Sequence, residues 1–278
     1  MKNTSSEKPK IIVLADFSDY TKKVLQVAKQ WASSSGLEIK VFNELDFQVP
    51  TLAGNELRLK MKYGQIHEIN RTWLDLKKTI FGEQTKVDFE ILEVPLIEFL
   101  KKEKQYESSF ILMGLKGGGL LKKVFLGSLV TEVIERLNHV TMAIPKNIQN
   151  FEPNKIIISV HPKYKFNLNA LEYLLSFLPR SVTTLQWISI AMEKDNVDDL
   201  NDYLDALTQK IKTGLKIETA VFSGEDVLQQ VKSFITDNNK EILVIQRGSR
   251  TFKDKLFRKF LVNDLVYDGS VPLIVLPL

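Results

Sequence analysis

The residues of this 278-residue sequence best placed for chemistry are glycines. Gly114, Gly117, Gly127 and Ser128 stand in the spacing Gly-2x-Gly-9x-Gly-Ser, at the end of the apolar run 109–113. Glycine at 114 and 117 lets a backbone approach a sugar or phosphate with no Cβ in the way. Gly127 and Ser128 would add N–H groups and a hydroxyl at a helix start, an anion-binding arrangement. The run lacks the Gly-Lys-Ser/Thr of a Walker loop, and it does not follow the first strand as a dinucleotide fingerprint does. A loop whose glycines only make turns is the alternative. Lys116, Lys122 and Lys123 lie inside the motif, where a long cation could reach phosphates.

Positioning such a loop requires a strand before it and a helix after it, and the pattern supplies both. Residues 10–15 form a short apolar run ending in Asp16-Phe17-Ser18-Asp19, which reads as a buried strand followed by a helix N-cap. Val24, Leu25, Val27, Ala28 and Trp31 have helical spacing over 21–34, and Ser33 to Gly36 supplies the stop. A strand at 38–45 comes next. Beyond Pro50 lies a long helix over 55–81, with Leu57, Met61, Ile66, Ile69, Trp73, Leu76 and Ile80 toward one face. Strands at 87–92, 109–113 and 141–145 alternate with helices at 96–106 and 128–137. Short apolar strands alternating with helices imply right-handed crossovers and a parallel sheet covered on both faces, the α/β class.

The second half repeats this plan. Residues 155–160 match 10–15 at an offset of 145, and residues 243–277 align without a gap on 111–145 at an offset of 132. Residues 219–224 and 226–235 mirror the third strand and third helix. The second copy is shorter, with the deletion mainly around helix two. Internal repetition on this scale means two copies of one domain, 1–147 and 153–278, joined near 146–154.

The glycine spacing, between a strand ending at Met113 and a helix leading to Ile144-Pro145, resembles the ATP-binding motif of the universal stress protein family. The resemblance covers both halves and is identified as that of a tandem member. It implies two doubly wound domains with five-stranded, mainly parallel sheets of the adenine nucleotide alpha hydrolase-like type. It also implies an intramolecular pseudo-dimer joined through the last strands. By the same resemblance, Ala15 and Asp16 would lie near the adenosine and metal, and Met113 and Gly114 near the ribose. Gly117, Gly127, Ser128 and Leu129 would surround the triphosphate. ATP with Mg²⁺ is the implied cofactor, turned over slowly if at all, in a stress-response or signalling protein. Two departures from the family pattern stand out: Phe17 follows Asp16, and Asn43-Glu44 end the second strand.

The second copy has lost the motif: Gln246 replaces Gly114, Ser249 replaces Gly117, Lys259-Phe260 replace Gly127-Ser128, and His161 replaces Asp16. One nucleotide site per chain is therefore expected, with the second copy a structural unit open to a protein partner. A nucleotide-free interaction scaffold is the competing reading. Arg247, Arg250, Lys253, Lys255, Arg258 and Lys259 gather in the degenerate loop, either as an anion surface or as a solvated face broken by Asp254.

Composition narrows the remaining chemistry. With no cysteine, thiol nucleophiles, disulfides and Cys-containing zinc sites are excluded, and His67, His139 and His161 share no metal spacing. The net charge of +4 lies in residues 1–148, where 22 basic residues face 18 acidic ones; residues 149–278 hold 16 of each. Acids and bases interleave, which argues against a nucleic-acid groove. No stretch approaches the roughly 20 apolar residues of a membrane span, and residues 1–10 lack a secretory h-region. A cytoplasmic protein is the expectation.

Overall fold

The computed structural model describes residues 9–47, 54–115, 128–145, 148, 151–191, 194–224, 227–235, 240–249 and 271–278. Its elements run β1 (Lys10–Leu14), α1 (Asp19–Ser35), β2 (Glu38–Glu44), α2 (Asn55–Phe81), β3 (Asp88–Leu92), α3 (Leu96–Lys102), β4 (Phe110–Gly114), α4 (Ser128–Arg136) and β5 (Thr141–Ile144). They continue with β6 (Lys155–Ser159), α5 (Leu168–Leu175), β7 (Thr184–Ile190), α6 (Val197–Lys210), β8 (Lys216–Phe222), α7 (Val227–Ile235), β9 (Glu241–Gln246) and β10 (Leu273–Leu276). The elements read from periodicity all occur. The expected helix at 96–106 divides into α3 and a separate 3-10 turn at Lys104–Tyr106.

All strands join one ten-stranded sheet in the order β3-β2-β1-β4-β5-β10-β9-β6-β7-β8. Within each half the pairings are parallel, and the halves meet where β10 runs antiparallel to β5, Ile274 opposite Met142. The ends of both sheets that could have been open edges are thus closed against each other. Helices cover both faces. One core cluster joins the strands to α1, α2, α5 and α6 through Leu25, Trp31, Trp73, Leu171 and Leu204, and the other joins them to α3, α4 and α7 through Leu100, Ile134 and Val231.

Specific contacts fasten the halves beside the strand pairing. Trp31 Nε1 donates to the Phe177 carbonyl at 2.9 Å, and its ring packs on Phe110, which in turn meets Phe177. The Tyr173 hydroxyl donates to the Ser108 carbonyl, and burial pushes its pKa up to about 12, so it keeps that proton at neutral pH.

Helix α2 corrects part of the sequence reading. Trp73, Ile80 and Phe81 are buried and Ile66, Ile69 and Leu76 half-buried, but Leu57 and Met61 are exposed. At about 100° per residue, Leu57 lies roughly 160° around the helix from Trp73, so the seven residues never shared one face. The second half's shortening is where it was expected: α6 has 14 residues against 27 for α2.

Candidate functional site

The strand order reverses beside β1, since the chain moves outward through β2 and β3 and then crosses back to β4. In open α/β sheets such a switch point leaves a crevice outside the carboxyl ends of the strands. A cavity of about 760 Å³ lies there, walled by the ends of β1, β2 and β4, the first turns of α1 and α4, and the middle of α2. Its floor is apolar, with Ala15, Val24, Ile69, Met113 and Val130, and its other walls carry Asp16, Glu44 and Asp46.

Asp16 organises the entry to α1. Its Oδ1 accepts from the Ser18 amide at 3.0 Å, the Ser18 hydroxyl at 2.6 Å and the Thr21 hydroxyl at 2.9 Å. These bonds hold the otherwise unsatisfied N-terminal turn, which Ser18 itself does not cap with its side chain. Phe17, between them, takes φ of 54°, a left-handed conformation that is uncommon outside glycine. Its ring turns toward Phe89 of β3, 6.3 Å away, and forms part of the cavity wall. Asn43 is buried and donates from Nδ2 to the Ala15 carbonyl at 2.7 Å, tying the ends of β1 and β2 together. Glu44 has a structural task as well: its Oε1 accepts from the Leu96 amide at 2.5 Å, at the start of α3. A carboxylate there complements the N-terminal end of the helix.

Of the sequence-predicted residues, the structure gathers Ala15, Asp16, Met113, Gly114 and Leu129 around this one cavity. Ser128 opens α4, one residue before Leu129. Gly117 and Gly127 lie outside the described residues, as do Lys116, Lys122 and Lys123. Gly114 has a packing reason to be glycine: a Cβ there would come within 3.2 Å of Val24 Cγ2 and 3.3 Å of Tyr20 Cβ on α1. Sequence reasoning missed Tyr20, Asp46, Gln65 and Ile69 as wall residues. Gln65 and Ile69, one turn apart on α2, were the pair whose spacing could have been matched to the site.

The corresponding edge of the second half is tied off. Gln246, in the place of Gly114, is buried; its Oε1 accepts from the Asn167 amide at 2.5 Å and its Nε2 donates to the Lys165 carbonyl at 2.9 Å. His161, in the place of Asp16, is buried with Nε2 3.1 Å from Asp195 Oδ2, while its Nδ1 accepts from the Lys163 amide at 3.3 Å. That acceptor role places the ring proton on Nε2, facing the carboxylate. Phe260 and most of the basic loop fall outside the described residues. Arg247 does not: its guanidinium donates to the carbonyls of Ile134, Glu135 and Leu137 at 2.8–3.1 Å and to Asn138 Oδ1 at 3.2 Å. It caps the carboxyl end of α4 across the junction, so it belongs neither to an anion surface nor to a solvated face.

No group of metal-ligating side chains occurs among the described residues, and no described helix is long and apolar enough to cross a membrane. No family model and no curated protein matches the chain. Solved structures do. A universal stress protein from Archaeoglobus fulgidus aligns with 96% of this chain and 98% of its own at 16% identity and a TM-score of 0.63. A Pseudomonas aeruginosa protein assigned to the same group aligns with 98% of this chain and 94% of its own, at 11% identity and a TM-score of 0.52. The cytoplasmic domain of a prokaryotic cation chloride cotransporter aligns with 96% of this chain and 95% of its own, at 8% identity and a TM-score of 0.51. The chain has the universal stress protein fold, and the likeness takes in both halves. Because that fold also serves a transporter's cytoplasmic domain, function has to be argued from the site.

Proposed function

We propose that the chain is a tandem universal stress protein that binds one adenine nucleotide, ATP with Mg²⁺, in its first half and acts as a nucleotide-dependent switch. The observation that carries this reading is the cavity at the β1–β4 switch point, which draws together Ala15, Asp16, Met113, Gly114 and Leu129. Its volume, about 760 Å³, lies in the range of small-molecule sites. The apolar floor suits a purine and ribose. Carboxylate oxygens at Asp16 and Asp46 are hard donors of the kind Mg²⁺ takes, usually one or two at a time with the phosphates completing the shell. A bound Mg²⁺ would neutralise phosphate charge, and this matters because no basic side chain lines the cavity among the described residues. One of Lys116, Lys122 and Lys123, inside the glycine motif, would supply further positive charge, with the other two facing solvent.

With Asp46 given to the metal, no uncommitted carboxylate remains among the described lining residues to act as base toward a γ-phosphate, and turnover is slow. Asp16 is committed to the Ser18 and Thr21 bonds, and Glu44 to the start of α3. The acidic wall supports the competing reading, an interaction scaffold that holds no nucleotide.

Protein purified without added ligand is denatured and its supernatant resolved by anion-exchange chromatography beside ATP, ADP and AMP standards. About one adenine nucleotide per chain is expected, or micromolar heat-detected binding of Mg-ATP to emptied protein. Gly127→Phe, which brings an aromatic ring to the proposed phosphate site, should abolish both. Absence of nucleotide together with no heat at millimolar Mg-ATP would leave the scaffold reading standing.

A further inference from the structure

Helix α2 carries a surface that the nucleotide site does not explain. It spans 27 residues, about 40 Å, and no side chain before Trp73 is buried. Of the eight large apolar side chains exposed among the described residues, five lie on it: Leu57, Leu59, Met61, Tyr63 and Leu74. At about 100° per residue they fall in two strips, Leu57 with Met61 on one side of the helix and Leu59, Tyr63 and Leu74 on the other, so they flank its outward direction rather than form one apolar patch. The outward direction, opposite Trp73 and Ile80, carries Lys60, His67 and Arg71 at spacings of seven and four residues, a basic stripe bordered on one side by the exposed Glu68 and Asp75. Six Lys/Arg less three Asp/Glu give α2 a charge of +3, most of the chain's net +4.

Its counterpart in the second half has the opposite charge. One Lys less four Asp give α6 a charge of −3. Leu200, Leu204 and Leu207 bury one side of α6, which leaves Asp198, Asp202 and Asp205, at spacings of four and three, as an exposed stripe pointing away from the core. Thus two positionally equivalent helices, at opposite ends of the ten-stranded sheet, present complementary stripes. They cannot meet within one chain, because eight strands separate β3 from β8.

We propose that the occupant of the α2 face is the α6 face of a second copy of this chain, in a head-to-tail contact. The Lys60–Arg71 stripe meets the Asp198–Asp205 stripe, and the flanking apolar residues of α2 lose water against the neighbour's helix. A contact of this kind is heterologous, so it leaves an α2 face at one end and an α6 face at the other and can propagate. Because the pairing is largely between exposed charges, it weakens as salt rises.

Sedimentation velocity of the full chain, from about 5 to 300 µM at low salt and at about 0.5 M NaCl, reads this directly. The average mass should climb with concentration at low salt and return to that of the monomer at high salt. Lys60→Glu/Arg71→Glu should weaken self-association at least about tenfold, and so should Asp202→Lys/Asp205→Lys. An equimolar mixture of the two double variants should associate again, since each then offers the sign that the other lacks. That rescue also shows that both variants are folded. A wild-type chain that stays monomeric at low salt, variants that associate as wild type does, or a mixture that fails to recover would each overturn the proposal. Co-flotation of a monomeric wild-type chain with phosphatidylserine vesicles would also overturn it, by assigning the basic and apolar face of α2 to a lipid surface.

Discussion

The two halves share strand order and crossover connections but treat the ligand edge of the sheet in opposite ways. In the first half α1 begins at Asp19, and its first turn packs directly on Gly114; beside that contact the cavity stays open. In the second half α5 begins only at Leu168, and residues 165–167, the counterparts of 20–22, run as a loop held by the Gln246 carboxamide. The position at the end of the fourth strand therefore has one task in both halves, to secure the segment that leaves the first strand. Glycine does so by admitting a helix turn, and glutamine by bonding a loop. An open crevice in this fold depends on a first helix that starts early enough to need no side chain from beneath.

Exchanging that pair gives the largest expected effects. In Gly114→Gln the new Cβ meets Tyr20 and Val24, a strain of about 1–3 kcal/mol in urea unfolding. The carboxamide then projects into the cavity, and nucleotide affinity measured by calorimetry should fall by about 100-fold or more. The reverse change, Gln246→Gly, leaves the Asn167 amide and Lys165 carbonyl without their partner and should lower stability by about 2–4 kcal/mol. It should gain no nucleotide, because His161 and its Asp195 partner still fill the edge. Binding gained by Gln246→Gly would mean that this one residue had closed the second site.

A second exchange concerns the next position, Arg247 against Leu115. Leu115 is buried apolar core, whereas Arg247 reaches across the junction to three carbonyls and Asn138 at the end of α4. Arg247→Leu should cost about 2–3 kcal/mol, because charged hydrogen bonds to backbone are lost and the carbonyls must find water. Faster hydrogen exchange in the last turn of α4 would locate the loss. The opening turn of α4 borders the proposed nucleotide site, so the same variant asks whether the second half steadies that helix for binding.

Periodicity sufficed for the strands and helices because buried parallel strands give unbroken apolar runs, and the repeat fixed their order in the second half. Only the family resemblance implied that Asp16, Met113 and Gly114 share one crevice, and the structure brings them there by pairing β1 with β4. Side-chain tasks that span many residues were out of reach. Nothing local tells that Glu44 serves the amide of Leu96, that Trp31 bonds Phe177, or that Arg247 leaves its basic neighbourhood to cap α4. Each depends on a partner brought near only by the finished sheet. The face of α2 misled for a different reason: over 27 residues the apolar positions drift around the helix, so Leu57 and Met61 leave the side that Trp73 and Ile80 bury.

The smallest expected effect separates the halves by pH. His139 precedes β5, and its counterpart before β10 is Val271. The His139 ring is buried, with Nε2 2.8 Å from the Tyr106 carbonyl and no partner at Nδ1. Burial holds its pKa below the usual 6.5, outweighing the opposing pull of the Tyr106 bond. The folded chain therefore binds this proton less readily than the unfolded chain, and stability declines as pH falls below about 6.5 until the lower folded value is passed. His139→Val should flatten that part of the stability curve measured by urea unfolding between about pH 7 and pH 5, on top of a pH-independent loss of about 1–2 kcal/mol from the vacated Tyr106 carbonyl. An unchanged slope would assign the acid sensitivity to carboxylate pairs elsewhere in the sheet. A flattened one would show that the junction of the halves carries a proton-sensitive residue on the first side only.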